Sequence, residues 1–297
     1  MQPMRLVASL ALPATLALAA CSGGSSGVVG NNFGTGGQQA NIRFVNGSPD
    51  LGPVDFYYQA TGAAAPGSPA SSTTANVPYP VVTPFIAESP TGATIIVRAA
   101  GSSSSGPALD SLSCPIPQLA TNGKYTVAIS GIGTGNHRCL VFQDFDYTTA
   151  PQYRVHNASL NAAASLAYST AATSTPPGTL IPYNSAQVAN RGGNVSTGST
   201  TYTQVQPAGP IGNPSNPAFV IGPNTGGPTF PVLDSLNASS LFASGSTTQP
   251  DTTGTVNFPN TAGTSLFAID CTPASVAPFP GVQCNSGVAL IGTFDTL

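Results

Sequence analysis

Hydrolytic and group-transfer chemistry needs a base beside a nucleophile, two facing carboxylates, or a metal that activates water. This 297-residue chain is poor in all three: His137 and His156 are its only histidines, Glu88 is its only glutamate, and its ten acidic residues are scattered singly apart from Asp144 and Asp146. Ser25 in GGSSG has the spelling of a nucleophile elbow, but that serine works on a tight turn between a buried strand and a helix, and here its flanks are glycine and serine. GIGTG at 131–135 lies between strand-like segments and opens no helix, so it offers no phosphate cradle. Asp50, Asp55, Asp144 and Asp146 would suit a calcium ion if the fold gathered them, because hard cations take several oxygens. The residues therefore name no catalytic group, metal ligand or cofactor, and the chain reads as a non-enzyme. Only 6% of it is charged and the net charge is −3, which leaves no basic run to neutralise phosphates and excludes nucleic acid as a partner.

Cysteine is the more informative residue. Arg5 precedes the apolar run LVASLALPATLALAA, too short to make a good membrane span, and LAAC follows at 18–21. This resembles the lipobox of bacterial lipoproteins. The resemblance implies that residues 1–20 are a signal peptide cut before Cys21, and that Cys21 carries a diacylglyceryl thioether with a further acyl chain such as palmitate on its amino group. Acyl chains contribute about 0.8 kcal/mol per buried methylene, enough to hold the chain to a membrane without a spanning helix. Ser22 after it is compatible with outer-membrane sorting in a Gram-negative cell. Cys114, Cys139, Cys271 and Cys284 remain, an even number for a compartment in which disulfides persist, and four cysteines allow three pairings. No C-x-x-C spacing favours zinc.

The elements that would position these residues come from an internal repeat. Residues 21–40 are the lipidated cysteine and a Gly/Ser-rich linker with nothing to bury. Beyond it, IRFVNGSPDLGPVDFYY from Ile42 matches YRVHNASLNAAASLAY from Tyr153, with Arg43 against Arg154 at an offset of 111 (154 − 43), Ser48 against Ser159 and Tyr57 against Tyr168. YTVAISG at 125–131 then matches SLFAIDC at 265–271, equating Thr126 with Leu266. CLVFQDFD at 139–146 matches VALIGTFD at 288–295, equating Asp146 with Asp295. Copy two is longer in its middle, at about 186–230, and in its last connection. The copies divide at TTAP, 148–151, into 41–147 and 151–297.

Alternation marks strands: Tyr125, Val127 and Ile129 share one face, Thr126, Ala128 and Ser130 the other, and GIGTGNH joins the last two strands of copy one as a hairpin. Further strands are predicted at 54–58, 81–87, 94–99, 202–206, 218–221 and 254–258. The fold class is all-β, two sandwich modules in tandem, immunoglobulin-like in their many short strands. On this layout the simplest bridges are Cys114 to Cys139 and Cys271 to Cys284, each within one module.

At IRFVNGSPDLGPVDFYY the chain resembles the bacterial domain-of-unknown-function family numbered 4397, through Arg43, Val45, Ser48, Pro49, Asp50, Pro53, Val54, Asp55 and Tyr57; GKYTVAISG resembles a later strand of that family. Copy two keeps Arg154, Val155, His156, Ala158, Ser159 and Tyr168 but has Leu160 and Asn161 in place of Pro and Asp. The resemblance implies immunoglobulin-like sandwiches on exported proteins and no established activity. Ser48-Pro49-Asp50 is expected to make a turn whose side chains cap free amides, with Arg43 paired to Asp55 across the hairpin. His156 is expected in packing and His137 as a solvated turn residue. The expected function is a structural or ligand-binding surface module, lipid-anchored in the cell envelope, whose partner is an envelope protein or glycan. The alternatives are an enzyme acting on an extracellular polymer or glycan, and an assembly module pairing through edge strands.

Overall fold

The computed structural model of the chain describes residues 39–148, 152–174, 179–182, 187–194, 202–208, 218–227, 229–242, 245 and 262–296. Cys21, Ser25, most of the linker and the strand predicted at 254–258 lie outside them. The chain is mostly β, with 47% strand and 6% helix arranged in several sheets. No helix among the described residues is long and apolar enough to cross a membrane.

The first half contributes β1 (Ala40–Asn46), β2 (Val54–Ala60), β3 (Ile86–Glu88), β4 (Ala93–Ala99), β5 (Ser113–Ile116), β6 (Lys124–Ser130) and β7 (Arg138–Asp144). The second contributes β8 (Gln152–Asn157), β9 (Ser165–Ser174), β10 (Thr179–Pro182), β11 (Gln187–Asn190), β12 (Gly193–Asn194), β13 (Thr203–Val205), β14 (Ala218–Pro223), β15 (Asp234–Asn237), β16 (Ala262–Asp270) and β17 (Val288–Thr296). In the first half one sheet runs β7-β6-β1-β3 and another β2-β4-β5. In the second, β17-β16-β8 and β9-β14-β15 repeat that order, with β10 and β11 added to β9. The sense repeats too: β1 is parallel to β6 and β8 to β16, while the neighbouring pairs are antiparallel.

Period-two alternation decides what each strand buries. Ile42, Phe44, Val127 and Val141 meet Val54, Phe56, Ile95 and Val97 in one core, where Phe44 stacks on Phe56 with ring centroids 4.6 Å apart. Tyr153, Val155 and Leu266 meet Tyr168, Phe219, Ile221 and Leu236 in the other, where Tyr153 packs 5.7 Å from Tyr168 and 5.3 Å from Phe219. Cys114 in β5 is bonded to Cys139 in β7, which ties the two sheets of the first half together. Cys271 is bonded to Cys284 across a connection that carries the short helix α1 (Pro273–Val276), whose first turn is capped by Thr272 and Ser275.

The alternation of β6 also leads to the way the halves join. Tyr125, Val127 and Ile129 bury one face of β6, yet Arg43, Thr126, Ala128, Leu140 and Phe142 on the reverse faces of β1, β6 and β7 are buried as well. They lie against Arg154, His156, Ser265, Phe267, Ile291 and Asp295 on the reverse faces of β8, β16 and β17. The four sheets thus stack in depth, with β7-β6-β1 and β17-β16-β8 as the inner pair. β12 and β13, from the long middle of copy two, hydrogen-bond to β7 and cover its outer edge.

Three sequence expectations need correction. Arg43 pairs with Thr126 and Arg154 with Ser265, so Thr126 corresponds to Ser265 rather than Leu266; a one-residue slip would have turned every side chain of β16 to the wrong face. Phe142 opposes Thr126 and Thr293 opposes Ser265, which makes Asp144, not Asp146, the counterpart of Asp295. The strand predicted at 81–87 is confined to Ile86–Glu88 plus a single bridge from Val82 to Val45, since Pro80 and Pro84 supply no amide donor to a ladder.

Between the inner sheets, Arg43 donates from Nη1 to Asp295 at 2.7 Å, from Nη2 to Asp144 at 3.2 Å, and from Nε to Thr126 at 2.8 Å. Arg43→Ala leaves two buried carboxylates short of their guanidinium partner. We expect it to lose about 3–5 kcal/mol in urea unfolding, and a loss under roughly 1 kcal/mol, the range of an exposed pair, would show that the network does not hold the halves together.

Candidate functional site

Two groupings of polar residues stand out. The first is the buried network, which is built twice. In the first half Arg43 Nε donates to Thr126 and Thr126 donates to Asp144 at 2.7 Å; in the second, Arg154 Nε donates to Ser265 at 3.1 Å and Ser265 donates to Asp295. The sets cross because Arg43 also reaches Asp295 and Ser265. Burial alone would raise the Asp144 carboxyl, but His156, Arg154 and Arg43 hold it well below the ordinary carboxylate range. Asp295, likewise buried, is lowered by Arg43 and Arg154. Tyr147 completes the set: its hydroxyl accepts from Arg154 Nε at 2.9 Å and donates to Asp295 at 3.0 Å. Its ring fills the space over Gly263 that a Cβ would occupy, so glycine is needed there.

His156 is fully buried, stacked on Phe267 and edge-on to Phe142. Burial draws its pKa down against the pull of Asp144. Its Nε2 lies 2.7 Å from Asp144 Oδ1 and its Nδ1 3.1 Å from the Leu266 carbonyl, so both ring nitrogens are engaged inside the protein. It serves packing, and no free base is left.

The second grouping surrounds the Ser48-Pro49-Asp50 turn. Asp50 caps no amide of its own turn. It reaches the β6–β7 connection instead, accepting from Gly133 N at 2.6 Å, from Ser48 Oγ at 3.0 Å and from His137 Nε2 at 2.9 Å. On the other side of the ring, His137 Nδ1 lies 2.6 Å from Asp110 Oδ2, and Asp110 also accepts from the Gly135 and His137 amides. Both neighbours of the imidazole are acceptors, so only its doubly protonated form donates to both. His137 is 5% exposed, which corrects the expectation of a solvated turn residue. Burial works against the charge of both aspartates, yet the bonds from His137 and the glycine amides lower Asp50 and Asp110 below their ordinary values. Gly131 opens this connection at φ +108°, where a Cβ would collide with the Asn136 carbonyl.

The remaining candidates fall apart spatially. Asp55 does not pair with Arg43; its two oxygens accept from the Asn76 and Gly101 amides, at 2.7 and 3.0 Å. Asp146 pairs with Lys124 at the surface. The four aspartates considered for calcium thus occupy four separate settings, and the described residues contain no group of three or more ligands placed to hold a metal ion. In copy two Ser159 is answered by Asp270, which also accepts from the Leu160 and Asn161 amides and from Gly131 of the first half.

Sequence reasoning missed Asp110, Asp270 and Asp295. The first has no counterpart in copy two, and the last two were obscured by the slipped register. Arg154 was visible as the repeat of Arg43, but nothing local said that both would be buried.

The lowered carboxylates Asp50, Asp110, Asp144 and Asp295 stabilise the fold above their unfolded values near 3.8, and that contribution is lost as pH falls through their folded values. Burial raises Asp234 to about 6 and Glu88 to about 7, so each favours the fold most below its unfolded value and loses that contribution as pH rises through its folded one. His156, lowered by burial, acts oppositely and costs stability as pH falls below about 6.5. We expect urea midpoints to fall steeply below about pH 4, and Asp234→Asn to raise the midpoint relative to the unsubstituted chain above about pH 6; an unchanged difference between the two from about pH 4 to 8 would contradict the placement of Asp234. Compared with known proteins, the chain matches no family model, and no curated protein matches it significantly.

Proposed function

We propose that the chain is an exported lipoprotein, tethered through Cys21 in the bacterial cell envelope, whose mature part is a rigid, non-enzymatic binding module. We further propose that its two halves are immunoglobulin-like β-sandwiches of the 4397 kind. The observation that carries the non-enzymatic reading is where the chemically capable groups sit. Both histidines and the aspartates Asp50, Asp55, Asp110, Asp144, Asp270 and Asp295 are engaged in bonds that hold loops or sheets together. Such groups serve as frame, and a frame of this kind can present loops to a partner. The repeated order of the sheets and the bridge between β5 and β7 support the sandwich reading. The two disulfides support a compartment outside the cytoplasm. The anchor rests on LAAC at 18–21.

The anchor is tested by mass spectrometry of the chain from membranes of an expressing bacterium. The expected product begins at an acylated Cys21, and Cys21→Ala is expected to move the chain to the soluble fraction. An uncut, unacylated amino terminus would end the lipoprotein reading.

A further inference from the structure

Beside the His137 clamp lies a pocket of about 340 Å³ lined by Asp110, Ser111, Leu112, Ser113, Gly135, His137, Arg138 and the Cys114–Cys139 disulfide. Its volume is at the lower end of the range for small-molecule sites. Its rim is held in an uncommon backbone conformation, with Asp110 at φ +44° and Ser111 at φ +58°, two successive non-glycine residues in the left-handed region. The bonds from Asp110 to Gly135 and His137 keep them there.

Arg138 is the one arginine or lysine lining the pocket. Its Nη1 donates to the Gly135 and His137 carbonyls at 2.9 and 2.7 Å, which fixes the guanidinium. Among the described residues Nε and Nη2 have no partner, and neither have the hydroxyls of Ser111 and Ser113. Nε and Nη2 form the edge of a guanidinium that takes a carboxylate through two parallel bonds. The acid that shares the pocket, Asp110, is turned toward the Gly135 amide and the amide and ring of His137.

We propose that this pocket binds a carboxylate-bearing sugar, of the uronic acid class, with Arg138 as the fork for the carboxylate and Ser111 and Ser113 as partners for ring hydroxyls. Two hydroxyls beside one fork match a ring that carries hydroxyls next to its carboxyl group better than they match an apolar acid. The inference rests on the binding-module reading above and gives it a ligand class. It does not involve Cys21, so the anchor and the site fail independently.

The test is ligand-observed NMR titration of the purified full chain with galacturonate, galactose and acetate. Galacturonate is expected to bind with a Kd of about 1 mM or tighter, galactose and acetate at least roughly tenfold more weakly. Arg138→Gln is expected to lose at least about tenfold, and Arg138→Lys nearly as much because an ammonium has no fork. Ser111→Ala with Ser113→Ala, at exposed positions, is expected to weaken binding severalfold with an unchanged melting temperature. Equal binding of galactose, acetate displacing galacturonate at equal concentration, no saturable binding of galacturonate, or a folded Arg138→Gln that binds as before would each overturn the proposal.

Discussion

Two guanidinium groups and two carboxylates face each other between the inner sheets with almost no contact with water. Removing such charges from solvent costs several kcal/mol per ion, and their mutual attraction offsets that only when the geometry is good and every remaining donor finds an acceptor. The pattern here is close to that condition. Arg43 spends Nε, Nη1 and Nη2 on Thr126, Asp295, Asp144 and Ser265. Arg154 spends its own on Tyr147, Ser265, Asp295 and the Phe145 carbonyl. An apolar face of the same area could slide or turn against its partner with small loss. A crossed set of directional bonds cannot, so the network fixes the angle and register at which the two halves meet, and the apolar contacts of Phe142, His156 and Phe267 supply the rest.

The same logic explains why the copies differ where they do. In the first, the Ser48 hydroxyl meets a carboxylate from its own turn, Asp50, and Gly131 stands at the end of β6. In the second, the turn has lost its acid, and the carboxylate comes from the strand end, where Asp270 takes the place of Gly131. Asp270 then also binds the Gly131 amide, so one residue closes its own turn and fastens it to the other copy. Degeneracy at Leu160 and Asn161 is therefore compensated by an acid that the alignment of turns alone could not reveal.

Much of this was legible in the residues. Alternation at Tyr125 to Ser130 placed β6, the recurrence of Arg43 as Arg154 identified the repeat, and the layout of strands picked both cysteine pairings. What stayed hidden depended on distance in sequence. Alternation reports which residues share a face but not whether both faces are covered, so Thr126 and Ala128 gave no sign of a second layer behind them. Ser-Pro-Asp is ordinary turn chemistry, and only the approach of the 131–137 connection converts Asp50 into a partner for His137. The pocket beside it draws on two segments, 110–114 and 135–139, and Arg138, a lone charge in a polar sequence, carries no local mark of it.

The strands β12 and β13 lie on β7 although more than forty residues of chain separate them from it. As the polypeptide emerges amino terminus first, the sheet that contains β7 has an open rim until residues 193–205 arrive. That rim presents a row of unspent amides and carbonyls to any neighbouring nascent chain. The later half of the chain thus covers an edge that the earlier half leaves open.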